Sequence, residues 1–134
     1  MRLQYILDSN ICIHLLHNRP EVVEAIKKVE WKNCYITELT LVELYYGAEC
    51  SKNPKRNKAI IASFLEDIEV LPFNICINEF CSQKARLRRL GTLIEDTDLY
   101  IGATAVALGF VLVTENIKHL SRLENIQIEN WVER

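Results

Sequence analysis

No stretch of this chain approaches the ~20 consecutive apolar residues that a membrane-spanning helix needs, so no such helix and no membrane partner are expected. Arg2 is followed by neither a signal-peptide core nor a small-residue cleavage site, and a cytoplasmic protein is expected. There is no Cys-x-x-Cys pair. The five cysteines, Cys12, Cys34, Cys50, Cys76 and Cys81, are an odd number set mostly in apolar surroundings. That disfavours a disulfide framework or a Cys-based zinc site and favours buried free thiols in a reducing compartment. GxxxxGK[ST], GxGxxG and GxSxG are all missing, so no phosphate-cradling loop or nucleophile elbow is visible. His14, His17 and His119 lack metal-ligand spacing: the first two are three apart, but no third ligand follows. An excess of positive charge is also lacking. Sixteen basic residues face 18 acidic ones, for a net charge of −2, which taken in bulk speaks against a nucleic-acid partner.

What is present is an ordinary globular composition, 49% apolar and 25% charged, over 134 residues. That length suggests a single domain, 1–134, able to bury one core. Half of the basic residues fall in two short segments. One holds Lys52, Lys55, Arg56 and Lys58; the other holds Lys84, Arg86, Arg88 and Arg89. They read equally as solvated helix faces or as phosphate contacts.

Strand-like and helix-like stretches alternate. Residues 4–8, 34–37, 70–73 and 111–114 are β-prone, with a final strand at 126–128. Between them helices are expected at 11–17, 20–30, 38–49, 59–68, 75–90 and 97–108, with a helical turn at 117–123. Residues 51–58 are a basic connection or a helix start. Leu41, Leu44, Tyr45 and Ala48 make one apolar stripe. Cys76, Phe80, Leu87 and Leu90 are expected core contacts of 75–90, and Gly91 and Gly109 suit helix C-termini. The helix 97–108 is apolar almost all round and should be buried. The alternation means α/β with a mainly parallel sheet of four to five strands.

In such sheets chemistry collects beyond the carboxyl ends of the strands. The apolar run Tyr5-Ile6-Leu7 stops on Asp8 at one such end. Asp8 has an ordinary reading as a helix cap, but Ser9 or Asn10 can do that job. Glu43 closes Thr40-Leu41-Val42-Glu43, a capping-box pattern, provided that the helix begins at Thr40. Asp98 opens an apolar helix, where the dipole favours a carboxylate, and Asp96 can cap the same helix. Asn116 follows a strand and reads also as a turn former. Taken as a set, strand-end Asp8 and Asn116 and the helix-start acids face one edge of the molecule. Converging carboxylates there make a hard-oxygen site for Mg²⁺ or Mn²⁺.

Four blocks in order, YILDSNICI, ITELTLVELYYGAE, DLYIGATAVALGFVLVTEN and IENWVE, resemble the PIN-domain ribonucleases, specifically the toxins of VapBC toxin–antitoxin pairs. The resemblance covers nearly the whole chain. It implies a three-layer α/β/α fold, metal-binding acids at Asp8, Glu43 and Asp98, and a variable fourth position near Asn116, here an amide. Ser9 matches the family's Ser or Thr beside the metal, and Asp96 is a further candidate carboxylate. It also implies a homodimer and a cognate small antitoxin lying over the cleft; the seat expected for it is an apolar groove near 11–17 and 38–66. The opening LDSNICIHLLHNRP is similar to the subgroup that cleaves initiator tRNA in its anticodon stem-loop.

The expected activity is Mg²⁺- or Mn²⁺-dependent endonucleolytic hydrolysis of RNA, with a tRNA as substrate. Lys52, Lys55, Arg56, Arg86 and Arg89 are the candidate RNA contacts; Arg86 reads alternatively as a partner for a site acid. Two rivals come from other classes. A phospho-receiver or dehalogenase-like phosphatase also has an Asp ending its first strand. The receiver needs an acid beside the first; the phosphatase needs Asp two residues on, where this chain has Asn10. A degenerate PIN module acting as a binding scaffold has no use for all three acids.

Overall fold

The computed structural model describes residues 2–134. Its elements are β1 (Tyr5–Leu7), α1 (Ser9–Leu16), α2 (Pro20–Val29), β2 (Cys34–Thr37), α3 (Glu38–Glu49) and α4 (Pro54–Phe64), then β3 (Glu69–Leu71), α5 (Ile77–Leu90), α6 (Asp96–Leu108), β4 (Val111–Val113), α7 (Ile117–Leu120) and β5 (Gln127–Glu129). Short 3₁₀ turns lead into β2 and α5. The five strands pair in the order β3-β2-β1-β4-β5, and every pairing is parallel. The chain starts in the middle of the sheet, winds outward through β2 and β3, then returns to β4 on the other side of β1. Strand order therefore reverses at the β1–β4 junction, where open α/β sheets place their ligand crevice.

The pleat explains the layering. Leu7 and Val113 point to one face, Ile6 and Leu112 to the other. The first face is covered by α1 to α4, through Ile11, Val22, Ile26, Leu44, Ile61 and Phe64. The second is covered by α5 to α7, through Leu87, Leu99, Ile101, Ala105 and Leu120. A three-layer α/β/α sandwich results. Helix α6 runs through the second layer with Leu99 and residues 101–105 all buried, as its apolar sequence requires.

Several boundaries move for local reasons. Asn53 caps α4 by accepting the Arg56 N–H at 3.1 Å, and Pro54 takes the first helical position. The helix thus begins inside the basic stretch and ends at Phe64 rather than 68. β3 stops before Pro72, at the edge of the sheet. The helical turn after β4 spans only Ile117–Leu120. Gly91 and Gly109 terminate α5 and α6 at φ 70° and 69°, the left-handed conformation that glycine takes without strain. Leu90 is not a core contact: it is 61% exposed, while Leu87, one turn earlier, is the residue that α5 buries there. Cys12, Cys34 and Cys76 are buried thiols, whereas Cys50 and Cys81 are exposed. Among the described residues no helix is long and apolar enough to cross a membrane.

Candidate active site

Asp8 follows β1 and is only 4% exposed. It is the N-cap of α1, accepting the Ser9 N–H at 2.8 Å, so the capping falls to Asp8 rather than to Ser9 or Asn10. Capping does not exhaust it. Its second oxygen, Oδ2, accepts the Thr114 hydroxyl at 2.7 Å and the Asn10 amide at 3.4 Å. Register brings Thr114 there. Leu7 pairs with Val113, so the residues that follow, Asp8 and Thr114, leave the sheet side by side on the Ile6–Leu112 face.

Glu43 is not part of a capping box. Helix α3 begins at Glu38, with Thr37 as N-cap accepting the Thr40 N–H at 3.1 Å. Thr40 is wholly buried in the first turn, and Glu43 stands further along the helix with no capping duty. Although solvent reaches its side chain, desolvation raises its pKa, and the Asp8 and Asp98 carboxylates raise it further; the Ser9 hydroxyl beside it acts the other way. Ser9 also approaches Asp8 Oδ1 at 3.5 Å, so it stands between two of the acids.

Asp98 lies in the first turn of α6, half-buried, and accepts the Asn116 side-chain amide at 2.9 Å. The helix N-terminus favours its charge. Burial wins nonetheless: desolvation raises the Asp98 pKa, followed by the fields of Asp8 and Glu95, while His119 and Asn116 pull it down. Asp8, Glu43 and Asp98 therefore come from three elements into one neighbourhood, with no salt bridge to any of them among the described residues.

The donor set is all oxygen and its charge is left uncompensated, which suits a hard divalent cation. The carboxylates stand apart rather than closed into a chelate. Among the described residues no three His, Cys, Asp or Glu groups stand ready to hold a metal ion. A cation at this mouth would have to pull the carboxylates inward, and the open side chain of Glu43 is the one with room to move.

The remaining candidates divide. Ser9 and Asn116 belong to the cluster. Asp96 does not: its exposed carboxylate accepts from Lys84 Nζ at 2.9 Å. Arg86 neither pairs with a site acid nor stands free for RNA. Its guanidinium is held by the Arg122 carbonyl at 2.5 Å and approaches Glu124 at 3.4 Å, tying α5 to the loop before β5. Lys52, Lys55 and Arg56 are exposed around the start of α4. That segment also supplies Ser51 and Asn57 to an apolar groove of about 310 Å³ whose other lining includes Ile13, Leu44, Ile60 and Glu43. Arg89 is exposed in the last turn of α5, and no contact ties it to the acids.

Thr114, Asn10 and His119 were not legible as site residues. For Thr114 a signal existed: a polar residue directly after the second of two central strands, in step with Asp8 after the first.

Comparison with known proteins places the chain in a family. The PIN domain family matches residues 5–125. Ribonuclease VapC2 of Haemophilus influenzae is 37% identical over 132 residues, covering 97% of this chain and 99% of that protein. The tRNA(fMet)-specific endonuclease VapC of Salmonella typhimurium is 35% identical, covering 96% and 98%. The crystal structure of DNA-bound VapBC from Salmonella typhimurium superposes with a TM-score of 0.90 at 34% identity, covering 97% of this chain and 99% of that one. The fold and these end-to-end similarities agree: this chain belongs to the PIN-domain family and, within it, to the VapC group.

Proposed function

We propose that this protein is the toxin of a toxin–antitoxin pair, an endoribonuclease that hydrolyses RNA phosphodiester bonds with Mg²⁺ or Mn²⁺ held by Asp8, Glu43 and Asp98. The observation that carries the reading is that three acids from separate elements meet at one mouth of the sheet: Asp8 is linked to Asp98 through Thr114 and Asn116, and Ser9 stands between Asp8 and Glu43. A divalent ion, when bound, supplies a water of lowered pKa and charge to stabilise the phosphoryl oxygens. The chain's own residues prepare for it. Asp8 is held rigidly by Ser9, Asn10 and Thr114. Glu43 and Asp98 keep their protons to higher pH than ordinary carboxyls, so cation loading is opposed by acid. Asn116 holds the Asp98 carboxylate in place without adding a fourth negative charge.

RNA is repelled by bare carboxylates, so its phosphates need basic contacts away from the acids. Lys52, Lys55 and Arg56 are exposed beside the groove that reaches Glu43 and serve that role, with Arg89 as a more distant contact. The substrate proposed is initiator tRNA, cut in its anticodon stem-loop, since relatives from Salmonella typhimurium and Shigella flexneri carry the name tRNA(fMet)-specific endonuclease. The groove between α1, α3 and α4 is the proposed seat for an apolar segment of the antitoxin. A basic side chain from that segment would reach the acids and stand in for the cation's charge. The protein would act in the cytoplasm, where its RNA is, and as a homodimer.

The test is cleavage of total RNA with 5′ ends mapped by sequencing. One cut in initiator tRNA that disappears with chelator and returns with Mg²⁺ is expected. Undiminished cleavage in chelator, or by purified Asp98→Asn protein, overturns the assignment.

A further inference from the structure

Two of the site acids are joined through a single buried oxygen. The Thr114 hydroxyl donates to Asp8 Oδ2 at 2.7 Å and accepts the backbone N–H of Asn116 at 2.9 Å. The Asn116 side chain then donates to Asp98 Oδ2 at 2.9 Å. Thr114 is 0% exposed, so its hydroxyl, with its proton and one lone pair engaged inside the protein, is closed to bulk water. A threonine hydroxyl can bond to a nearby backbone group. Here the proton goes instead to a carboxylate on the neighbouring strand. Thr114 itself is fixed, because its N–H donates to the Glu129 carbonyl at 3.0 Å, extending the β4–β5 ladder by one residue. The rigid sheet thus reaches Asp8 directly and Asp98 through one amide.

Resting on the nuclease reading above, we infer that Thr114 is a positioning residue whose hydroxyl sets the spacing of Asp8 and Asp98 for a divalent cation. It touches neither substrate nor metal in this arrangement; it acts through the two carboxylates. Removing its O–H leaves Asp8 Oδ2 with only the 3.4 Å contact to Asn10, free to rotate about its last torsion. The same change leaves the Asn116 N–H unpaired and loosens the residue that holds Asp98. Outer partners of this kind typically contribute 10–100-fold to metal affinity or activity.

The experiment compares wild type, Thr114→Val, Thr114→Ser and Asp98→Asn. Valine keeps the branched shape and loses the oxygen; serine keeps the oxygen and loses a methyl. Free Mn²⁺ is measured by electron paramagnetic resonance in RNA-free protein, alongside kcat, KM and melting in chelator. Thr114→Val is expected to bind Mn²⁺ ~10-fold more weakly and to lose ~10–100-fold in kcat, with KM for RNA little changed. Thr114→Ser is expected to recover most of both. A valine variant that binds and cleaves like wild type overturns the inference, as does a folded serine variant as impaired as valine. If valine prevents folding, Thr114→Ala takes its place, and wild-type Mn²⁺ affinity there overturns it equally. Wild-type protein that neither binds Mn²⁺ nor cleaves RNA is a different failure: it sinks the nuclease reading itself.

Discussion

The segment 114–116 separates two regions that treat acids in opposite ways. Thr114 and Asn116 turn toward the cleft, where Asp8 and Asp98 make no salt bridge among the described residues. Glu115, between them, turns toward α1 and the C-terminus. There it accepts from Arg134 at 2.5 Å and meets His14 at 2.5 Å. The Arg134 hydrogen bond holds the Glu115 carboxyl below its ordinary value, against desolvation, with His14 adding to the effect. In the cleft, desolvation and neighbouring carboxylates push Glu43 and Asp98 upward. One residue of chain therefore separates an acid satisfied by the protein from acids the protein leaves unsatisfied. The first is a fastener for the chain terminus. The second kind costs stability, a cost that the cation proposed above would offset on binding.

Replacing a cleft acid should have the largest effect on activity and an inverted one on stability. Asp98→Asn keeps an oxygen to accept from Asn116 but removes a charge from the repelling set. Cleavage should fall by on the order of 10³-fold, several kcal/mol of transition-state stabilisation. Melting in chelator should hold or rise by about 1–3 °C. Added Mg²⁺ should stabilise wild type and leave the variant unmoved. Asp8→Ala should lose the same activity but also stability, ~1–2 kcal/mol, since it removes the α1 cap and leaves the Thr114 hydroxyl unpaired. A melting point for Asp98→Asn well below wild type would break the comparison.

Glu115→Gln should do the reverse. It sheds the ion pairs to Arg134 and His14, which are partly exposed and so contribute about 1 kcal/mol or less. Cleavage should change by less than about threefold.

The pH dependence separates the same two regions. A carboxyl whose folded pKa is raised binds protons more tightly in the folded state. The cost from Glu43 and Asp98 is therefore absent below the ordinary carboxylate range, about pH 4, and grows as pH rises through their folded values. Glu115 has the opposite sign: its contribution is complete above the ordinary glutamate value and is lost as pH falls through its lowered folded value. Relative to wild type, Asp98→Asn should gain stability as pH rises, and Glu115→Gln should lose it. Melting curves from pH ~3.5 to 7.5 test both slopes. Equal slopes for the two variants would contradict the assignment.

Much of this was legible from residue pattern because central strands and buried helices announce themselves. β1, β2, β4 and α6 are short apolar runs whose register follows from the pleat, and Asp8 ends one of them. Where sequence reading failed, the deciding partner was remote. The α3 helix, by contrast, lies at 38–49 as expected; only its cap was open, and the Thr40 N–H donated to the Thr37 hydroxyl frees Glu43 of capping. Arg86 reads as a free cation until the chain returns with the Arg122 carbonyl and Glu124. Leu90 fits an apolar stripe, yet in that turn of α5 it is Leu87 that is buried and Leu90 that faces solvent. Thr114 looks like the last residue of a strand, and its partner on Asp8 lies 106 residues earlier.

The smallest expected effect concerns Asp96, two residues from Asp98 and indistinguishable from it by type. Helical geometry separates them by about 200°, so a neighbour in sequence faces away in space. Its carboxylate pairs with Lys84 on α5 at the surface, where both side chains are well exposed. Such a pair contributes about 0–0.5 kcal/mol and is screened by salt. Asp96→Asn should therefore leave RNA cleavage, Mn²⁺ affinity and melting close to wild type. Any loss in melting should vanish in high salt. A tenfold loss of cleavage with an unchanged melting point would mean that Asp96 leaves Lys84 to join the cation, and the cleft would then use both faces of the α6 N-terminus.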